Sequence, residues 1–159
     1  MPDAELAALR SALDAQRRHV LGIVDGLDAD GLSRAVLPTG WNCLQLLHHL
    51  AVGVERFWFR SVMAGEQLSF PDNDWNVPDG LGAEQVLALY RHEIELADEM
   101  LDRTPAGAPP AGWPEWWPDW HYSALREVLL HVITETACHA GHLDATRELI
   151  DGRTWLVLD

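Results

Sequence analysis

The sequence predicts an all-α protein, an up-and-down four-helix bundle. Four long segments repeat apolar residues at helical spacing, whereas strand signals are nearly absent. The third connection, Thr104 to Trp120, carries Pro105, Pro109, Pro110, Pro114 and Pro118, which exclude a regular helix there and set the last helix apart. At 159 residues a single domain spanning 1–159 is expected. A chain of this size can bury up to about 70% of its unfolded surface, so a core needs no staple.

The first helix is expected from about Asp3 to Leu27. Leu6, Leu9, Leu13, Val20 and Leu27 form its stripe, and Gly26, Asp28, Asp30 and Gly31 break it. Pro38-Thr39-Gly40 then reads as a turn. A second helix opens near Trp41 or Asn42, with Asn42 as N-cap because its side chain can accept a free backbone N–H. It runs to about Ala64 and stops at Gly65. The stretch Leu44 to Val52 is apolar nearly all round except for His48 and His49, the mark of a helix inside a bundle. After a polar loop, the third helix spans about Ala83 to Leu101.

The fourth helix opens at Ser123 and ends at Gly152, a good C-cap. Its start only loosely fits a capping box, since Glu127 lies four rather than three residues after Ser123. The apolar tail Thr154 to Leu158 is expected to pack back on the bundle. Four of the 8 tryptophans crowd the third connection: Trp113, Trp116, Trp117 and Trp120. They read either as a rigid cap on the bundle's end or as a wall of a substrate pocket or partner surface, to which Trp41 and Trp75 could contribute.

The balance of 11 Lys+Arg against 25 Asp+Glu gives a net charge of −14, and every basic residue is Arg. Such a field argues against nucleic acid or an anionic membrane as the main partner. The N-terminus does not read as a signal peptide, and no apolar stretch reaches the roughly 18 residues that span a bilayer. Cys43 and Cys138 are too few for a disulfide framework and sit in apolar helical patterns, where a free Cys acts as a small hydrophobe. A reduced, cytoplasmic protein is expected.

The chemistry lies in Glu135-Thr136-Ala137-Cys138-His139-Ala140-Gly141-His142. Residues three and four apart share one side of a helix, so Glu135 and His139 can reach one cation from one rigid element. Carboxylate and imidazole suit divalent transition metals. One helix rarely closes such a site, and a further ligand is expected from His48 or His49, between which periodicity does not decide. Against this stands the plainer reading, in which Glu135 and His139 form a surface ion pair. His131 extends the stripe, either as a core residue or as one that orients a ligand. His19, His92 and His121 read as surface or loop histidines. Arg56, Arg60 and Arg147 read as solvated ion-pair partners or as holders of a substrate carboxylate.

His49-Leu50-Ala51 followed by Glu55 and Trp58, with Glu135-x3-His139-Ala140-Gly141-His142-x-Asp144-x2-Arg147-Glu148-Leu149-Ile150-Asp151-Gly152, resembles the DinB superfamily over almost the whole chain. The likeness is closest to its DinB-like or mini-circle branch, related to the bacillithiol-transferase-like proteins. It implies a four-helix bundle whose divalent metal is held by His49, Glu135 and His139. Many relatives carry His where this chain has Glu135; the similar mycothiol-dependent maleylpyruvate isomerases carry Glu. His142 stands where many relatives have Gln, so it is either a fourth ligand or a catalytic acid/base.

What the resemblance implies is a thiol-dependent transferase or isomerase acting on a small electrophile, with a low-molecular-weight thiol such as mycothiol as cosubstrate and His142 as proton shuttle. The mixed ligands admit Zn, Ni, Fe, Mn or Co, with Zn or Ni expected. A homodimer is the expected assembly. Two other readings share the site: a metal-activated hydrolase, and a non-catalytic metal-binding or dimerisation module linked to stress.

Overall fold

The computed structural model describes residues 4–117 and 119–155. Among them there is no strand, and the helices form an all-α bundle. In chain order these are α1 (Ala4–Val24), the short α2 (Ala29–Ser33), α3 (Cys43–His49 continued by Leu50–Met63), α4 (Ala83–Leu101) and α5 (Leu125–Asp151). α1 lies along α5, and α4 along the second half of α3.

Most boundaries follow from capping. Gly26, at φ +73°, turns the chain after α1, so that helix ends before Leu27. Asp28, read from the sequence as a breaker, caps α2 instead: its Oδ1 accepts from the Gly31 N–H at 2.8 Å. Asn42 caps α3 as expected. Its Oδ1 accepts from the Gln45 N–H at 2.9 Å, and Gln45 Oε1 accepts from the Asn42 N–H at 3.1 Å. At the start of α5 the N-cap is Ala124, which makes Glu127 the third residue inside the helix; its carboxylate reaches back to the Ser123 N–H at 2.6 Å. The frame offset seen in the sequence is therefore one residue of cap placement. Gly152 closes α5 at φ +78°.

The expected regular α-helix changes character inside α3. From Leu50 to Met63 the backbone bonds widen to the π pattern, as in the Ala64 N–H to Phe59 carbonyl bond at 3.0 Å. The change begins directly after His48-His49.

Leu13, Leu46, Leu50, Phe59, Leu129 and Leu143 fill the core. Each contributes roughly 1.5–3 kcal/mol by leaving water. The core also contains an ion pair: Arg17 of α1 donates from Nε and Nη2 to both carboxylate oxygens of Glu55 on α3, at 2.8 and 2.7 Å.

Trp113 and Trp117 pack on the core and Trp116 stands exposed, so the Trp-rich connection is part cap and part surface. Pro118 lies outside the described residues. Trp155 stacks near His19, and its backbone N–H donates to Asp144 at 2.8 Å. Leu156, Val157 and Leu158 lie outside the described residues. Cys43 is buried, and burial pushes its thiol up to about 11. Cys138, expected to be a small hydrophobe in the packing, is exposed. Among the described residues no helix is long and apolar enough to cross a membrane.

Candidate metal centre

Two helices bring the predicted donors together. His49 ends the α-helical half of α3; Glu135 and His139 stand one turn apart on α5. One donor atom from each of the three lies within 4.8 Å of the others. His139 Nε2 is 3.5 Å from Glu135 Oε2, and the rings of His49 and His139 meet edge to face with centroids 4.9 Å apart. The imidazoles are sheltered, at 13% and 8% side-chain exposure, whereas Glu135 is 38% exposed.

The two histidines of α3 divide their tasks around Asp74, a residue of the loop before α4. His48 is buried, and its Nδ1 donates to the Asp74 carbonyl at 2.6 Å. His49 turns its Nδ1 to the Asp74 carboxylate at 2.8 Å. With that proton committed, the His49 Nε2 carries a lone pair. This Nε2 is buried and has no hydrogen-bond partner. A buried imidazole nitrogen without a partner is costly, and a cation at the shared point is the partner its surroundings suit. Carboxylate backing of a ligating histidine is the usual way to fix its tautomer and raise its basicity. The donor set therefore fits a divalent metal.

Aromatic rings hold the assembly rigid. Trp75 stacks on His49 with centroids 4.0 Å apart, and Trp41 stacks on Trp75 at 4.5 Å. Trp41 and Trp75 thus wall the histidine site. Burial, with His49 nearby, pushes the His139 pKa down to about 4 against the pull of Glu135, so this imidazole is neutral at physiological pH.

His142 is not one of the three clustered donors. Its Nδ1 sits 3.4 Å from His139 Nδ1, and its ring meets Trp41 edge-on. It stands behind His139 much as Asp74 stands behind His49. His131 is half-buried against Trp58, with centroids 4.5 Å apart, and Tyr122. His92 and His121 are exposed as expected, but His19 is not: it is 7% exposed, with a buried Nε2 that has no partner.

The arginines weighed as carboxylate holders are committed elsewhere. Arg147 is buried, pairs with Asp151 and donates to the carbonyls of Ile23 and Asp25, tying α5 to the end of α1. Arg56 and Arg60 both bind Glu93, and Arg60 also binds Glu66. Asp74 escaped the sequence reading, because Asp72, Asn73 and Asp74 look alike in a polar loop. Arg17 was also missed, since an arginine inside a helical stripe gives no sign of its buried partner.

No curated protein matches the chain closely enough to count as a relative. The family described as Mycothiol-S-transferase matches residues 8–152, a span that runs from within α1 to the cap of α5 and includes all three donors. This chain belongs to the Mycothiol-S-transferase family, within the DinB group.

Proposed function

We propose that the protein is a metal-dependent thiol transferase or isomerase, which joins a low-molecular-weight thiol such as mycothiol to a small electrophile. His49, Glu135 and His139 would hold the ion, zinc or nickel by ligand type. The observation that carries the reading is that His49, backed by Asp74 and with a buried, unpartnered Nε2, has a donor atom within 4.8 Å of donors on α5. Family membership supplies the thiol.

Held by His49, Glu135 and His139, a divalent cation would supply Lewis acidity that favours the thiolate form of a thiol at the site. Asp74 fixes the His49 tautomer, and the stacked Trp75 and Trp41 keep the ring from turning. His142, half-buried with its Nδ1 3.4 Å from His139 Nδ1, would orient and polarise His139 from behind, and any proton it receives from the thiol would reach it through that ring. Glu135 is the most exposed of the three donors, at 38%.

The test is metal analysis of untagged protein against His139→Ala, followed by thiol consumption with an electrophile. About one equivalent of metal in the parent, its loss in the variant, and parallel loss of thiol consumption are expected. Full stoichiometry in His139→Ala would overturn the site.

A further inference from the structure

Beside the candidate metal centre, at Gly53 and Asp74, lies a cleft. It is open, has a volume of about 350 Å³ and is lined by Phe57, Phe70, Trp116 and Trp117. Its floor contains Gly53 and Asp74. Asp74 is therefore common to both places: its carboxylate holds His49 and its side lines the cleft. His49, Gly53 and Phe57 follow at four-residue spacing along α3, a single row that leads from the proposed metal ligand into the aromatic walls.

The lining defines what can sit there. Aromatic rings take flat apolar partners by offset stacking or edge contacts, and Trp116, at 69% exposure, presents its indole to such a partner. The volume is at the lower end of small-ligand sites, enough for one substituted ring. Among the described residues no basic side chain lines the cleft, and the one ionisable residue there is the acidic Asp74. The two arginines of the helix that forms its floor, Arg56 and Arg60, are paired with Glu93 and Glu66. A carboxylate ligand would find no counter-charge and would meet Asp74 in a low-dielectric setting.

We propose that this cleft is the electrophile subsite and that it selects uncharged, single-ring aromatic electrophiles over anionic ones. The proposal rests on the transferase reading for the word electrophile; the ligand class rests on the cleft alone. With 1-chloro-2,4-dinitrobenzene as probe, the thiolate sulfur bonds to the chlorine-bearing ring carbon. The carbon–chlorine bond breaks, chloride leaves with the bonding pair, and the thiol's proton passes to the protein or buffer.

Binding and transfer are measured separately. In the binding arm, calorimetry compares 1,3-dinitrobenzene, which lacks a leaving group, with 3,5-dinitrobenzoate, on parent protein and on Trp116→Ala. The neutral ring should bind roughly fivefold or more tighter than the benzoate, and Trp116→Ala, at an exposed site, should weaken it about three- to tenfold. Equal affinity for the two probes, or no change in Trp116→Ala, overturns the cleft assignment. In the transfer arm, metal-loaded protein and mycothiol are given 1-chloro-2,4-dinitrobenzene or 4-chloro-3,5-dinitrobenzoate. Faster turnover of the neutral probe, slowed in Trp116→Ala, supports the subsite. Neutral-ring binding without transfer leaves the ligand class standing and sinks the transferase reading. Transfer indifferent to charge and to Trp116 sinks the subsite alone.

Discussion

The Asp74 carboxylate receives the Nδ1–H of His49 at 2.8 Å, while the Asp74 carbonyl receives His48 at 2.6 Å. One loop residue is thereby gripped by both members of the His48-His49 pair. Asp74→Asn keeps the shape and removes the charge that orients and polarises His49. Metal affinity should fall about 10- to 100-fold, measured by competition with a chromophoric chelator, with the helical circular dichroism unchanged. Affinity within twofold of the parent would deny Asp74 its orienting role.

Arg17 and Glu55 are 3% and 1% exposed and bonded in bidentate fashion, with Asp14 and Asp98 completing the guanidinium at 3.1 and 2.8 Å. Removing Arg17 strands the Glu55 charge, whereas removing Glu55 leaves Arg17 paired with Asp14 and Asp98. Arg17→Ala should cost about 3–5 kcal/mol in urea denaturation. Arg17→Met combined with Glu55→Leu should cost much less, because an apolar pair of similar volume carries no desolvation penalty. A double variant as unstable as the single one would show that the pair does more than balance its own charges.

His19 provides a pH handle outside the candidate metal cluster. Burial holds its pKa below the ordinary 6.5, outweighing the attraction of Asp144. The folded chain therefore takes up this proton less readily than the unfolded chain. Its contribution is favourable above about pH 6.5 and is lost as the pH falls toward the lower folded value. The Tm of the parent should drop more steeply than that of His19→Phe between about pH 7 and pH 5. Each kcal/mol of difference corresponds to about 2–4 °C at this size. Parallel profiles would mean that His19 protonates in the folded state without penalty.

How much of this was legible in the sequence depended on the range of each interaction. The span of α4, the Asn42 cap and the Gly152 stop rest on local periodicity and capping, and the sequence carries that chemistry openly. Glu135 and His139 were readable for the same reason, since i, i+4 spacing is a property of one helix. His48 and His49 could not be told apart, because the difference between them is made by Asp74, 25 residues from His49. The burial of Arg17, the widened turn of α3 and the sheltering of His19 by Trp155 are likewise products of tertiary packing. No local pattern announces them.

Gly53 offers the sharpest test of the site's construction. A Cβ built there would lie 1.7 Å from Asp74 Oδ2 and 2.9 Å from His49 Nδ1, so no side chain fits while the Asp74–His49 bond is in place. The Asp74 carbonyl is held by His48, so the carboxylate alone must swing away. Gly53→Ala should therefore behave as a loss of Asp74 in metal titration, with affinity reduced about tenfold or more. Replacing a helical glycine by alanine contributes up to about 1 kcal/mol in propensity, so the variant should stay folded. Because both changes act through the same Asp74–His49 contact, Gly53→Ala combined with Asp74→Asn should bind metal no more weakly than the worse of the two singles. Additive losses would show that Gly53 serves the site by another route, and parent-like affinity in Gly53→Ala would mean that His49 does not need Asp74 to bind.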